Sequence, residues 1–228
     1  METKPPWVAR AGPVRVTIVS MAIIAGLSAP AAAQTPHPSL NAQLLVAARQ
    51  NDAAQVERVL AQGAAADSRN RGGKTALLMA SEKGNDALAR RLIAAGGDVN
   101  LASLDGVTPL MAASYGGHAA VVQRLLAAGA RTDAVDRMKK PAALYAAGQG
   151  HAAVIDLLLA ADVDVNAAYE HGLTALMWAA GQGHGSAVNA LLARGARTDL
   201  RDDRGLDARD IAQQAGHAAI AERIAASR

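Results

Sequence analysis

The sequence predicts an all-α solenoid of about six 33-residue helix-turn-helix units, joined by short finger loops and capped at both ends. Three kinds of recurrence predict it. Stepping by 33 from Ala47 meets Ala80, Ala113, Ala146, Ala179 and Ala212, the same small residue at every step. Glycine recurs in two registers: Gly84, Gly117, Gly150, Gly183 and Gly216, with Asn51 as the exception, and Gly63, Gly96, Gly129 and Gly195, interrupted by Asp162. Large aliphatics recur as Val59, Leu92, Leu125, Leu158, Leu191 and Ile224. Self-similarity at this period marks stacked units, none of which can hide its apolar side alone.

The residues of one unit explain its shape. Thr75, Thr108 and Thr174 stand where a helix N-cap is wanted, and Pro109 takes the first helical position, where a missing N–H costs nothing. The helix runs through Leu110, Met111, Ala112 and Ala113 and stops at Gly116-Gly117, which reverse the chain. A second helix opens near His118, with Val121, Val122, Leu125 and Leu126 on one face of a 3.6-residue period, and ends at Gly129. Polar, turn-prone segments follow, with Asn100, Asp133, Asn166 and Asp199 in matching places.

The run Thr-Pro-Leu-x-x-Ala-Ala-x-x-Gly-His, then Val-Val-x-x-Leu-Leu-x-x-Gly-Ala, resembles the ankyrin repeat over about residues 40–228. One departure is consistent. Where that family carries His after Thr-Pro-Leu, this chain has Leu78, Met111, Leu144 and Met177, so packing is expected to replace the polar tie.

At the start, Lys4, Arg10 and Arg15 precede an uncharged apolar run over 16–27, followed by Ser28-Ala29-Pro30-Ala31-Ala32-Ala33. This layout predicts a secretory signal peptide over 1–33, cleaved after Ala33, with an uncleaved N-terminal anchor as the alternative. No Cys follows, so no lipid anchor is expected, and an exported chain without Cys holds itself together by stacking alone. The whole chain carries a formal charge of +3. The leader holds three basic residues and one acidic, so the remainder is near neutral, at +1, and a nucleic-acid partner loses its electrostatic support. With 51% hydrophobic residues, the chain is too apolar for disorder.

A Pro-rich lead-in follows at 34–39. The repeat domain then divides into units at about 40–69, 70–102, 103–135, 136–168, 169–201 and 202–228. The first keeps Leu44, Ala47, Val56, Val59 and Leu60 but carries Arg49, Gln50, Asn51, Asp52 and Glu57, the polar face of a capping unit. The last has Asp207 as cap, Ile211, Ile220 and Ile224 inward, and Gln213, Gln214, Glu222 and Arg223 outward. The fourth is irregular: Lys139 replaces the pre-cap glycine, Pro141 the Thr cap and Asp162 the glycine after the second helix. It is expected to be the weakest joint, through drift or through a distortion kept for a ligand.

His118, His151, His184 and His217 suggest metal ligation, but neighbours one repeat apart lie about 10 Å from each other, too far to share an ion. A structural role is expected instead. The stretch Gly148-Gln149-Gly150-His151-Ala152-Ala153 matches a dinucleotide fingerprint but follows a helix and repeats at Gly181, so it is set aside. Asp162/Asp164 and Asp202/Asp203 fall in loops, and no nucleophile-base constellation assembles. No catalysis and no cofactor are expected.

The resemblance implies a scaffold that binds another protein through its finger and first-helix face; the leader and the Ala-rich composition predict that it works in the periplasm, as an accessory to a further exported protein. The alternatives are a secreted effector that binds host proteins and, behind it, an enzyme of unknown type. Position by position, the binding face comprises Arg69, Arg71, Lys74 and Lys83, then Leu104, Val107 and Tyr115. Further along it comprises Arg137, Met138, Lys140 and Gln149, then Glu170, His171, Leu173 and Gln182. The partner expected has acidic groups around an apolar patch. A monomer is expected, without nucleic acid and without membrane contact after leader cleavage. Tyr145 and Trp178 fall on the buried side of the first helices and are expected in the core.

Overall fold

The computed structural model describes residues 38–227. The expected signal peptide and most of the lead-in lie outside the described residues. Six helix pairs follow one another: α1 (Leu40–Gln50) with α2 (Ala53–Ala61), α3 (Ala76–Glu82) with α4 (Asp86–Ala94), and α5 (Pro109–Tyr115) with α6 (Ala119–Ala127). Then come α7 (Ala142–Gly148) with α8 (Ala152–Ala160), α9 (Ala175–Gly181) with α10 (Gly185–Ala193), and α11 (Ala208–Gln214) with α12 (Ala218–Ala225). The first helices pack in one row and the second helices in another, each against its predecessor. The Ala47-to-Ala212 register lies inside the first row, every member at most 1% exposed. A methyl group there allows close backbone approach, which any longer side chain would prevent.

The caps form as the sequence requires. Thr75, Thr108 and Thr174 accept from the backbone N–H groups of Leu78, Met111 and Met177. The tie expected to be lost is partly kept, because the Met111 and Met177 thioethers accept from the Thr108 and Thr174 N–H at 3.5 Å. Sulfur is a weak acceptor, so packing still dominates. Asp207 caps α11 and receives Asp210 in return.

The second helices start in two ways. Asp52 and Asn85 cap their own helices, through Gln55 and Leu88. His118, His151 and His184 do not; each reaches back one repeat, and its Nε2–H donates to the carbonyl of Glu82, Tyr115 or Gly148 at 3.2, 2.9 and 2.9 Å. A carbonyl can only accept, which fixes the tautomer. The imidazoles of His118, His151, His184 and His217 account for Gly84, Gly117, Gly150 and Gly183 in their register. A Cβ on Gly84 would stand 2.4 Å from the His118 ring, and one on Gly117 2.5 Å from His151. Asn51 is tolerated because its neighbour one repeat on is Asn85, whose amide donates to Asn51 Oδ1 at 2.6 Å.

The other glycine register differs in kind. Gly63, Gly96, Gly129 and Gly195 all have positive φ, but a Cβ there would meet nothing within 4 Å. Asp162 occupies this register at φ 61° and Lys139 the pre-cap register at φ 57°. For Asp162 the cost is backbone strain alone, on the order of 1 kcal/mol; at the pre-cap register a Cβ also crowds the next finger, as one on Gly73 would stand 2.8 Å from Leu104 N and one on Gly106 3.0 Å from Asp136 Cα.

Adjacent fingers are tied by backbone hydrogen bonds from Leu104 to Gly72, Arg137 to Asp105, and Asp203 to His171. Behind them, Asp67, Asn100 and Asn166 accept from the N–H of Asp98, Arg131 and Arg197 one repeat on. The fourth unit breaks both series. Asp133 turns its carboxylate on the Arg131 guanidinium, and among the described residues no bond joins Glu170 to Met138. Pro141 offers no side-chain cap to α7. Unit four thus lacks a staple on one side and a finger bond on the other.

Two outcomes follow from this packing. Asp162→Gly and Lys139→Gly, each releasing strain, should raise the melting temperature by about 2 °C apiece; a fall in either would remove the strain argument. The second concerns Asp86, which holds Arg124 of the next repeat by two bonds of 2.5 and 2.6 Å. The Arg124 hydrogen bond lowers the Asp86 carboxyl pKa against the opposing effect of burial. This pair therefore stabilises the fold above the ordinary carboxylate pKa of about 4 and is lost as pH falls through the lowered folded value. Asp86→Asn should lower the melting temperature at pH 7, with the deficit shrinking toward pH 3 and in high salt; a pH-independent deficit would contradict the linkage.

Candidate functional site

Four finger loops are built on a short acceptor at the base. Asn70, Ser103, Asp136 and Asp202 accept from the N–H groups two and four residues on. Tyr169 holds the equivalent place in unit five and cannot do so. That finger instead makes one 3-10 turn over Glu170–Gly172, with His171 at φ 61°. Asp136 does more than its counterparts: its second carboxylate oxygen accepts from the Tyr145 hydroxyl. Burial first, then this bond and the Asp136 charge, hold the Tyr145 phenol well above its ordinary pKa, so it stays a protonated donor. At Asp202, burial pushes the carboxyl up, but the Leu206 and Arg204 donors outweigh it and hold the pKa down.

Fixing the unit-four finger places Lys140 with its ammonium 4.5 Å from the Trp178 ring centroid. Tyr115 meets Tyr145 edge to face, with centroids 5.9 Å apart and planes at 79°. Gly148 makes room for the indole, since a Cβ there would stand 2.2 Å from Trp178 Nε1. The result is a groove between fingers and first helices. A hollow of about 430 Å³ over α5 is lined by Glu82, Val107, Met111, Tyr115 and Tyr145. The next, about 240 Å³, shares the two tyrosines and adds Met138, Lys140, Gln149, Trp178 and Gln182. A third, about 320 Å³, shares Trp178 and Gln182 and runs to Ile211 and Gln214 on α11.

Tyr145 and Trp178 are thus not core residues. They are half-buried, packed on the core by one face and open to the groove by the other. Their register reads Met79, Ala112, Tyr145, Trp178 and Ile211, so the jump from Ala to aromatic was the signal for them. The expected core placement fails because rings larger than the Ala112 methyl extend past the helix contact into the groove.

Of the residues expected to bind, the groove gathers Val107, Tyr115, Met138, Lys140, Gln149, Leu173 and Gln182. Tyr115 and Met138 are its most exposed apolar groups, at 55% and 57%. Leu104 is exposed on its own finger outside these hollows. His171 and Leu173 face Asp202, Asp203 and Arg204 in an adjoining hollow between the last two fingers, which shares Leu173 and Arg204 with the groove, with Glu170 exposed beside them. Several cations are engaged within the protein. Arg69 donates to the Gly73 and Ala102 carbonyls, Lys74 pairs with Glu82 at 2.6 Å and Arg137 with Asp105 at 3.3 Å. Arg71 and Lys83 are exposed at the N-terminal end of the face. Among the described residues, no group of three or more His, Asp or Glu could hold a metal ion.

No curated protein matches the chain. The family model for ankyrin repeats (3 copies) matches residues 44–136 and again 129–202. Together these segments cover most of the stack, and with the six helix pairs and their caps they show that the chain belongs to the ankyrin-repeat family, a protein-interaction scaffold.

Proposed function

We propose that this protein is a non-catalytic periplasmic scaffold that grips a protein partner in the groove across α5, α7 and α9, as an accessory to another exported protein. One observation carries the reading. Residues 40–228 contain four aromatic side chains, Tyr115, Tyr145, Tyr169 and Trp178, and three of them converge on this groove. Exposed aromatics that cluster in a desolvated hollow are what protein interfaces use as anchors. The Ala33 cleavage motif behind a basic, then apolar, leader supports export.

Fractionation of cells making the full chain, with N-terminal sequencing, tests the location: a periplasmic form starting at Gln34 is expected. Recovery from the culture medium would favour the secreted reading, and an uncleaved membrane-bound form would overturn the scheme. Crosslinking from a periplasmic extract tests the groove. Tyr115→Ala and Trp178→Ala, both still folded by circular dichroism, should each weaken partner capture at least about tenfold; capture equal to wild type would remove the groove from the interface.

A further inference from the structure

The groove's polar groups point to one kind of occupant. Glu82 at one end is neutralised by Lys74, and Arg204 at the other by Asp202 at 2.7 Å. Asp136, under the finger, is 6% exposed and already accepts from Met138 N–H, Lys140 N–H and the Tyr145 hydroxyl, so it offers nothing outward. Between them Lys140 lies over the Trp178 ring with no carboxylate of the described residues within ion-pair distance. It is flanked by the exposed amides of Gln149 and Gln182. The middle of the groove is therefore apolar in its walls and presents one ammonium outward with no carboxylate paired to it, while the Asp136 charge stays beneath the finger.

Length follows from the stack. First helices are spaced about 10 Å apart, so the groove from α5 to α11 spans about 30 Å, the reach of roughly nine extended residues. Building on the protein-binding reading, we propose that the groove takes an extended polypeptide segment of about this length, with large apolar side chains against Tyr115, Tyr145 and Trp178. An Asp or Glu between them pairs with Lys140. A carboxylate compensates an ammonium that the protein leaves without a counter-ion, and the low-dielectric aromatic walls strengthen the pair beyond what it would be worth at an open surface. A basic segment would place like charges together and leave the cation–π contact as the only compensation.

Selection from a displayed library of random peptides on the full chain tests this. Wild type should enrich Asp or Glu within a few positions of large apolar residues. Lys140→Gln should lose the acidic preference and keep the apolar one, and Lys140→Glu should turn the preference to Lys and Arg. A selected peptide resynthesised with Gln in place of its acid should bind wild type about tenfold more weakly and Lys140→Gln unchanged. Thermal melts establish that both variants fold. Acidic enrichment that is absent, or that survives Lys140→Gln, overturns the proposal, as does failure to select any peptide. Capture of a partner from periplasmic extract is scored separately. Peptides enriched in other chemistry but sensitive to Trp178→Ala would sink the acidic segment and leave the protein-binding groove standing.

Discussion

Close approach of the first helices is the constraint on which everything else rests. Six alanines one repeat apart, all essentially inaccessible, set how near each helix comes to the next. Once that spacing is fixed, the second helices follow as an outer row. Leu88, Val121, Val154 and Val188 then close the apolar layer between the rows, each fully buried. With no disulfides and short helices of seven to eleven residues, no single unit could hold its shape in water. Stability comes from repetition of one interface.

Polar ties then give the stack its register, and they come in series that reveal themselves by their exceptions. The imidazole series runs from His118 to His184, and the Asn51–Asn85 pair substitutes for it where the first two units meet. The finger bonds and the Asp67, Asn100 and Asn166 staples lapse together around unit four. That is also where Lys139 and Asp162 strain the backbone. The same unit supplies Met138, Lys140, Tyr145 and Gln149 to the groove. The irregular unit and the candidate groove thus coincide.

The groove in turn depends on one buried carboxylate. Asp136 organises the finger backbone and anchors Tyr145, and in doing so aims Lys140 across Trp178. An Asn or Ser at this place, as in units two and three, could hold the finger but not add a charge-assisted bond to a phenol. Gly148 completes the arrangement by removing the one Cβ that would displace the indole.

Much of this was legible in the residues themselves. The period, the Thr and Asp caps, the helix-breaking glycines and the polar end units all follow from local chemistry repeated at fixed spacing, and six repetitions make each signal plain. The resemblance also placed Val107, Tyr115, Met138, Lys140, Gln149, Leu173 and Gln182 on the finger and first-helix face. It could not tell how deep a first-helix side chain sits, because Ala112, Tyr145 and Trp178 share one register while the aromatic rings outgrow the space that alanine fills. Nor could it say which cations are engaged. Arg69, Lys74 and Arg137 find partners through loop geometry, some across a repeat boundary, and Lys140 does not. Those distinctions depend on distances between side chains far apart in the chain, which only the stacked structure fixes.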